Sequence, residues 1–215
     1  MKKIAVSNKK NSYTTLVSLS KGQYEHSGSR FFAYAFPTTS VEEIKVKRQD
    51  LNRSHPKACH IVEAYRLKNG IYRANDDGEP SGSTGLPVLG QIDSFTLLDV
   101  AVLVVRYFGG TLLGVSGLIK AYKLSSRRAL EKASFIEKDY VKLFTISCPY
   151  SQVNRLMLAL KEAEGVVEAQ SMAIESVLEV ALPIKNVPFF QGRVRTLLEK
   201  KIITCLLYTS DAADE

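Results

Sequence analysis

The chain has 215 residues, 45% of them apolar and 24% charged, and its 29 Lys and Arg against 22 Asp and Glu give a formal charge of +7. That is ordinary globular composition for one large domain or two small ones, and the longest unbroken apolar run, residues 100–105, is far short of the roughly 20 residues a membrane span needs. The basic balance favours polyanionic partners such as RNA or the ribosome and is silent about fold.

In chain order, Met1-Lys2-Lys3 leads into Ser7-Asn8-Lys9-Lys10, not into the apolar core of a secretory signal, and a cytoplasmic location is expected. Cys59, Cys148 and Cys205 form neither a CxxC pair nor a disulfide framework, which suits a reducing compartment and core thiols. Residues 13–19 and 30–36 have strand composition, separated by the turn at Ser27-Gly28-Ser29. Ser40 with Glu43 forms a capping box, and Val41, Ile44 and Leu51 give the apolar stripe of a helix that ends near His55-Pro56. A strand over 59–65 follows. Asn69-Gly70 supplies the positive φ of a hairpin turn into residues 71–74.

A Gly- and Ser-rich loop over 75–85 and a short helical stretch precede residues 97–108, whose β-branched apolar character suits a strand buried on both faces. The Gly109-Gly110 turn then opens a helix reaching about Lys132. Glu137-Lys138 reads as a linker, giving a first domain over residues 1–137 and a second over 138–204. The second has a strand over 141–147 and a helix carrying Val153, Leu156, Leu160 and Ala163 that stops at Gly165. Strands over 166–170 and 177–182, a helix with Pro188 in its first turn, and a strand beginning at 202–204 complete it. Strand, helix, strand, strand, helix, strand is the order of a ferredoxin-like split βαβ unit.

Residues 205–215, CLLYTSDAADE, break with this pattern and resemble the in-frame translation of a sequencing-library transposon adapter. The expectation is an artefact that truncates the last strand and leaves a sheet edge unpaired. The segment holds Asp211, Asp214 and Glu215, so without it the basic residues exceed the acidic by ten.

Several positions are candidates for chemistry. Asp76, Asp77 and Glu79 lie within four residues and suit either oxygen coordination of a cation or a solvated turn; the spacing is not that of an EF-hand, and no metal or cofactor is expected. His60 is a candidate base or ligand beside that loop. Gly109 and Gly110 open a helix where amides and helix dipole suit an anion, although Val115 stands where a Walker A loop needs Lys. Lys120, Lys123 and Arg127 fall within about 60° of arc on that helix, a basic stripe able to neutralise a phosphate backbone with Arg106 and Tyr107 near its origin.

Three stretches carry a family resemblance: His55-Pro56-Lys57-Ala58-Cys59-His60; Asp76-Asp77-Gly78-Glu79-Pro80-Ser81-Gly82-Ser83-Thr84-Gly85-Leu86-Pro87; and Val105-Arg106-Tyr107-Phe108-Gly109-Gly110 with Leu113-Gly114, Gly117-Leu118 and Lys120-Ala121-Tyr122. In order and spacing they resemble the YigZ/IMPACT family, over nearly all of residues 13–204. The resemblance implies an α+β chain of two domains. The first would have the β-α-β fold of the second domain of a small-subunit ribosomal protein, seen also in elongation factor G; the second would resemble that factor's C-terminal domain.

IMPACT relatives are associated with control of translation initiation through a stress-responsive kinase pathway, and bacterial members are expected to act on other partners. The leading expectation is therefore a binding protein in which Arg106, Tyr107 and the basic helix meet RNA or a ribosome-associated factor. Two rivals stand beside it: an enzyme using His60 and the 76–79 loop on a phosphorylated small molecule, and a protein-interaction module alone. The ligand and the oligomeric state are not legible in the sequence.

Overall fold

The computed structural model describes residues 11–199 and 205–208, and the chain divides into two compact units, Tyr13–Lys138 and a second built from Asp139 onward together with the described residues before Tyr13. In the first unit the strands are β1 (Ser12–Leu16), β2 (Ser20–His26), β3 (Ser29–Pro37), β4 (His60–Arg66), β5 (Tyr72–Asn75), β6 (Val100–Tyr107) and β7 (Phe135–Asp139). The helices are α1 (Val41–Ser54), α2 (Gly85–Ser94) and α3 (Gly114–Glu131). β1 pairs with β7, and the other five form an antiparallel sheet in the order β2-β3-β6-β4-β5.

β6 lies at the centre because it has apolar side chains at both parities. Val100, Val102 and Val104 join Phe31, Ala33, Val62 and Ala64 under α2 and α3. Ala101, Leu103 and Val105 join Phe36, Ile61 and Tyr65 under Ile44 and Leu51 of α1. A strand covered on both faces cannot alternate with polar residues, and the continuous run at 100–105 is the result. The Ser40 hydroxyl accepts from the Glu43 amide and the Glu43 carboxylate from Thr38 and Thr39, so α1 begins at the predicted cap.

Two elements depart from the expectation. β2 is a strand despite its sequence Ser-Lys-Gly-Gln-Tyr-Glu-His, because α3 packs along it: a Cβ on Gly22 would stand 2.3 Å from the Ala129 nitrogen and 2.6 Å from the Ser125 oxygen. Glu137-Lys138 is no free linker but part of β7, held by its pairing with β1.

The second unit contains β8 (Val141–Pro149), α4 (Val153–Glu162), β9 (Val166–Ser171), β10 (Glu175–Pro183), α5 (Val187–Glu199) and β11 (Cys205–Tyr208). The sheet order β11-β8-β10-β9, antiparallel throughout, is that of the ferredoxin-like split βαβ. Its core joins Phe144, Ile146, Leu178 and Val180 of the sheet to Leu156 and Leu160 of α4 and Phe190 and Val194 of α5. The sheet edge expected to stand unpaired is instead covered: residues 205–208 pair with β8 from Cys205 opposite Ser147 to Tyr208 opposite Phe144. Ladder bonds come from the backbone, so an extended segment of foreign composition can close the sheet as a native one would. The beginning of a strand expected at 202–204 falls outside the described residues.

Candidate functional site

The loop between β5 and α2 holds the acidic cluster, and two of its three carboxylates serve the fold. Asp76 accepts hydrogen bonds from the amides of Gly82, Thr84 and Gly85 and from the Thr84 hydroxyl, at 2.7–3.0 Å. It thereby closes the loop and caps α2, whose Thr84 makes no side-chain cap of its own. Burial pushes the Asp76 carboxyl up, but these four bonds outweigh it and hold the group below its ordinary value. Asp77, in the left-handed region at φ 51°, accepts from the Ile61 amide at 2.6 Å and from the Arg48 guanidinium. It extends the β4 ladder at a point where β5, whose pairing begins at Glu63, does not reach.

Glu79 points elsewhere. One of its oxygens accepts from Arg106 Nη1 at 2.5 Å and from the Tyr122 hydroxyl at 2.8 Å, and His60 Nε2 lies 4.0 Å away. His60 and Arg106 are register partners on β4 and β6, so they share the face covered by α2 and α3, and Tyr122 descends from α3 to meet them. The Glu79 and Arg106 side chains are 4% and 7% exposed. Burial, then the charge and hydrogen bond of Glu79, push the Tyr122 hydroxyl far above its ordinary value, and it remains a neutral donor. His60 bonds through Nδ1 to the Asp77 carbonyl at 2.7 Å. A carbonyl only accepts, so Nδ1 carries the proton and Nε2 faces Glu79.

Chemically the cluster is a buried ion pair that ties the 76–79 loop, β4, β6 and α3 together. The Nε of Arg106 is buried without a hydrogen-bond partner among the described residues. Among the same residues no three His, Cys, Asp or Glu come together as a metal ion requires.

The other candidates lie elsewhere. Tyr107 follows Arg106, and strand alternation sends it to the α1 face, where its hydroxyl meets His55 Nδ1 at 2.8 Å; it is not part of the Arg106 cluster. The expected anion cradle at Gly109 is corrected. Its amide is already donated to the Ser29 hydroxyl at 3.1 Å, and a Cβ there would stand 1.9 Å from the Gly28 carbonyl carbon, so the glycine serves close backbone packing. α3 begins only at Gly114, beyond the glycine pair. Gly110, at φ 87°, has open space around it. Lys120, Lys123 and Arg127 are all exposed on the outer face of α3; Arg127 pairs with Glu131 at 2.8 Å, and the two lysines have no ion pair among the described residues.

Tyr122 escaped the sequence reading because a tyrosine on an amphipathic stripe looks like core. The available signal was its place on the buried stripe of a helix that must cover an Arg-bearing strand.

A three-layer sheet unit with a basic outer helix, in one chain with a ferredoxin-like unit, defines a two-unit α+β protein. Residues 27–130 match the Impact N-terminal domain. The chain is 31% identical over 160 residues to the IMPACT family member YvyE of Bacillus subtilis (strain 168), covering 74% of each chain. It is 31% identical over 170 residues to the IMPACT family member YigZ of Escherichia coli (strain K12), covering 77% of this chain and 83% of that one. A crystal structure described as that of a hypothetical protein superimposes with a TM-score of 0.76 at 27% identity, over 94% of this chain and 98% of the other. The chain belongs to the IMPACT family.

Proposed function

We propose that the protein is a translation-associated regulator that binds RNA, on the ribosome or in a ribosome-associated partner, through the outer face of α3. The observation that carries this reading is the exposure of Lys120, Lys123 and Arg127 on one helix face, in a chain whose basic residues outnumber its acidic ones by seven. Lysines without a paired carboxylate present their charge to a phosphate backbone and release its counterions. The cytoplasm is the compartment that goes with such a partner, and among the described residues no helix is long and apolar enough to cross a membrane.

The test is binding to ribosomal particles and to structured RNA across a salt series. Log affinity should fall linearly with log salt, and Lys120→Glu with Lys123→Glu should flatten the slope by about 0.7–0.9 for each phosphate no longer neutralised. Binding that ignores both salt and nuclease overturns the reading in favour of a protein partner. An enzyme acting on a phosphorylated small molecule would rank the residues in reverse, with His60→Ala abolishing turnover and the lysine variants affecting only capture.

A further inference from the structure

The face of the sheet opposite α3 carries a second set of groups that the α3 reading leaves unused. α1 covers the β4 and β6 part of that face through Ile44 and Leu51. Over β3 the side chains of Phe32 and Tyr34 are only half-buried, as are Tyr107 at the end of β6 and His55 after α1. The four rings form one contiguous surface. Phe32 lies 6.1 Å from His55, nearly parallel at 24°, and 5.9 Å from Tyr107, edge-on; His55 lies 5.8 Å from Tyr34 and 5.9 Å from Tyr107.

This surface is fixed before any ligand arrives. Both nitrogens of His55 are engaged, Nε2 with the Tyr34 hydroxyl and Nδ1 with the Tyr107 hydroxyl, each at 2.8 Å. One imidazole thus sets the orientation of two tyrosines. Cations flank the rings: Lys21 lies 5.4 Å over Tyr34 and Arg30 lies 5.3 Å over Tyr107. Beside them a cavity of about 220 Å³ is lined by Lys21, Gln23, Phe32, Tyr34 and Lys132, the last at the end of α3. That is smaller than the roughly 300–1,000 Å³ of a site enclosing a whole small molecule and suits one flat ring. The carboxylate that faces this part of the sheet is Glu25, the register partner of Arg30.

Half-exposed aromatics on an open sheet face, ringed by cations and mutually locked, match what unpaired bases require. Every base has a π-face to stack, and the adjoining phosphates require positive charge. We infer that this face binds a single-stranded RNA segment, with about two or three bases stacked on Phe32, Tyr34 and Tyr107. Lys21 and Arg30 hold the ring faces in the free protein and turn to the phosphates when bases take their places. Lys132 lines the cavity beside the rings and ends α3, so a strand leaving the rings passes round β2 toward the basic helix. The inference rests on the reading of the protein as an RNA binder and names the form of RNA this second face takes.

The experiment measures affinity for a fluorescein-labelled single-stranded oligouridylate and for a blunt RNA duplex of equal charge. Tyr34→Leu and Phe32→Leu should each weaken the single-stranded probe by about 5- to 150-fold, the loss of one stacked base, and leave the duplex unchanged. Tyr34→Phe, which keeps the ring, should retain most of the affinity. Lys21→Glu with Arg30→Glu, exposed positions whose replacement does not threaten the core, should weaken the single strand alone, and a 4-thiouridine probe should crosslink to residues 29–37. Unchanged single-strand affinity in the Leu and Glu variants, or a crosslink confined to α3, overturns the inference while leaving the α3 reading standing. If neither probe binds the unaltered protein, the RNA reading itself fails, and capture that survives nuclease identifies a protein as the occupant.

Discussion

Replacing Glu79 by Ala isolates the energetics of the buried cluster. Arg106 is 7% exposed and Glu79 is its ion-pair partner. Without that carboxylate a guanidinium charge stays buried and uncompensated, and the Tyr122 hydroxyl loses its acceptor. Breaking a buried pair by removing one partner costs about 3–5 kcal/mol, a large part of the roughly 5–15 kcal/mol that holds a domain folded. Replacing both partners, Glu79→Leu with Arg106→Met, removes the charge together with its desolvation and should recover most of the loss, leaving the cost of about 1–3 kcal/mol of a Tyr122 hydroxyl without its acceptor. Tyr122→Phe should cost about 1.5–3 kcal/mol, the worth of a hydrogen bond to a charged group. His60→Ala, with one bond to a loop carbonyl, should cost about 0.5–1.5 kcal/mol. The assay is urea dependence of hydrogen exchange at the β6 amides, which reports on this unit alone. A Glu79→Ala loss under about 1 kcal/mol, or an apolar double variant as unstable as the single one, would refute the assignment of the cluster as a buried cross-link.

The two turn glycines should separate sharply on thermal melting. Gly109→Ala forces the Gly28–Ser29 backbone aside and should cost about 3 kcal/mol or more, whereas Gly110→Ala meets open space and should show only the left-handed strain of about 1–2 kcal/mol. On acidification, Asp76 sets a sign. Its folded carboxyl lies below the ordinary 3.8, so its stabilisation is complete above that value and is lost as pH falls through the lower folded value. Asp76→Asn should therefore destabilise at neutral pH and remove that part of the acid limb, as seen by circular dichroism during acid titration.

The strands and helices that carry strong local patterns were legible in the residues: the Ser40 cap of α1, the Asn69-Gly70 hairpin and the doubly buried β6. Those that depend on distant partners were not. β2 has no apolar alternation, since its packing comes from a glycine pressed on α3, and β7 is charged because β1 holds it by backbone bonds. For the site, residues adjacent in sequence proved unlike in role. Asp76 and Asp77 are fully engaged by amides and Arg48 while Glu79 turns inward, and Arg106 and Tyr107 part to opposite faces by the two-residue period of a strand. Whether a carboxylate serves the loop or the core depends on which amides are left without partners, a count that exists only in three dimensions.

The last strand has a further consequence for how copies of this protein behave together. β11 lies at the outer margin of its sheet against β8, and among the described residues its four residues of backbone cover that margin. A chain stopped at Thr204 would present β8 as a row of unpaired amides and carbonyls, a template for the extended segment of a neighbour. Such a chain is expected to self-associate by strand exchange as its concentration rises, and any extended segment laid on β8, native or foreign, withholds that template.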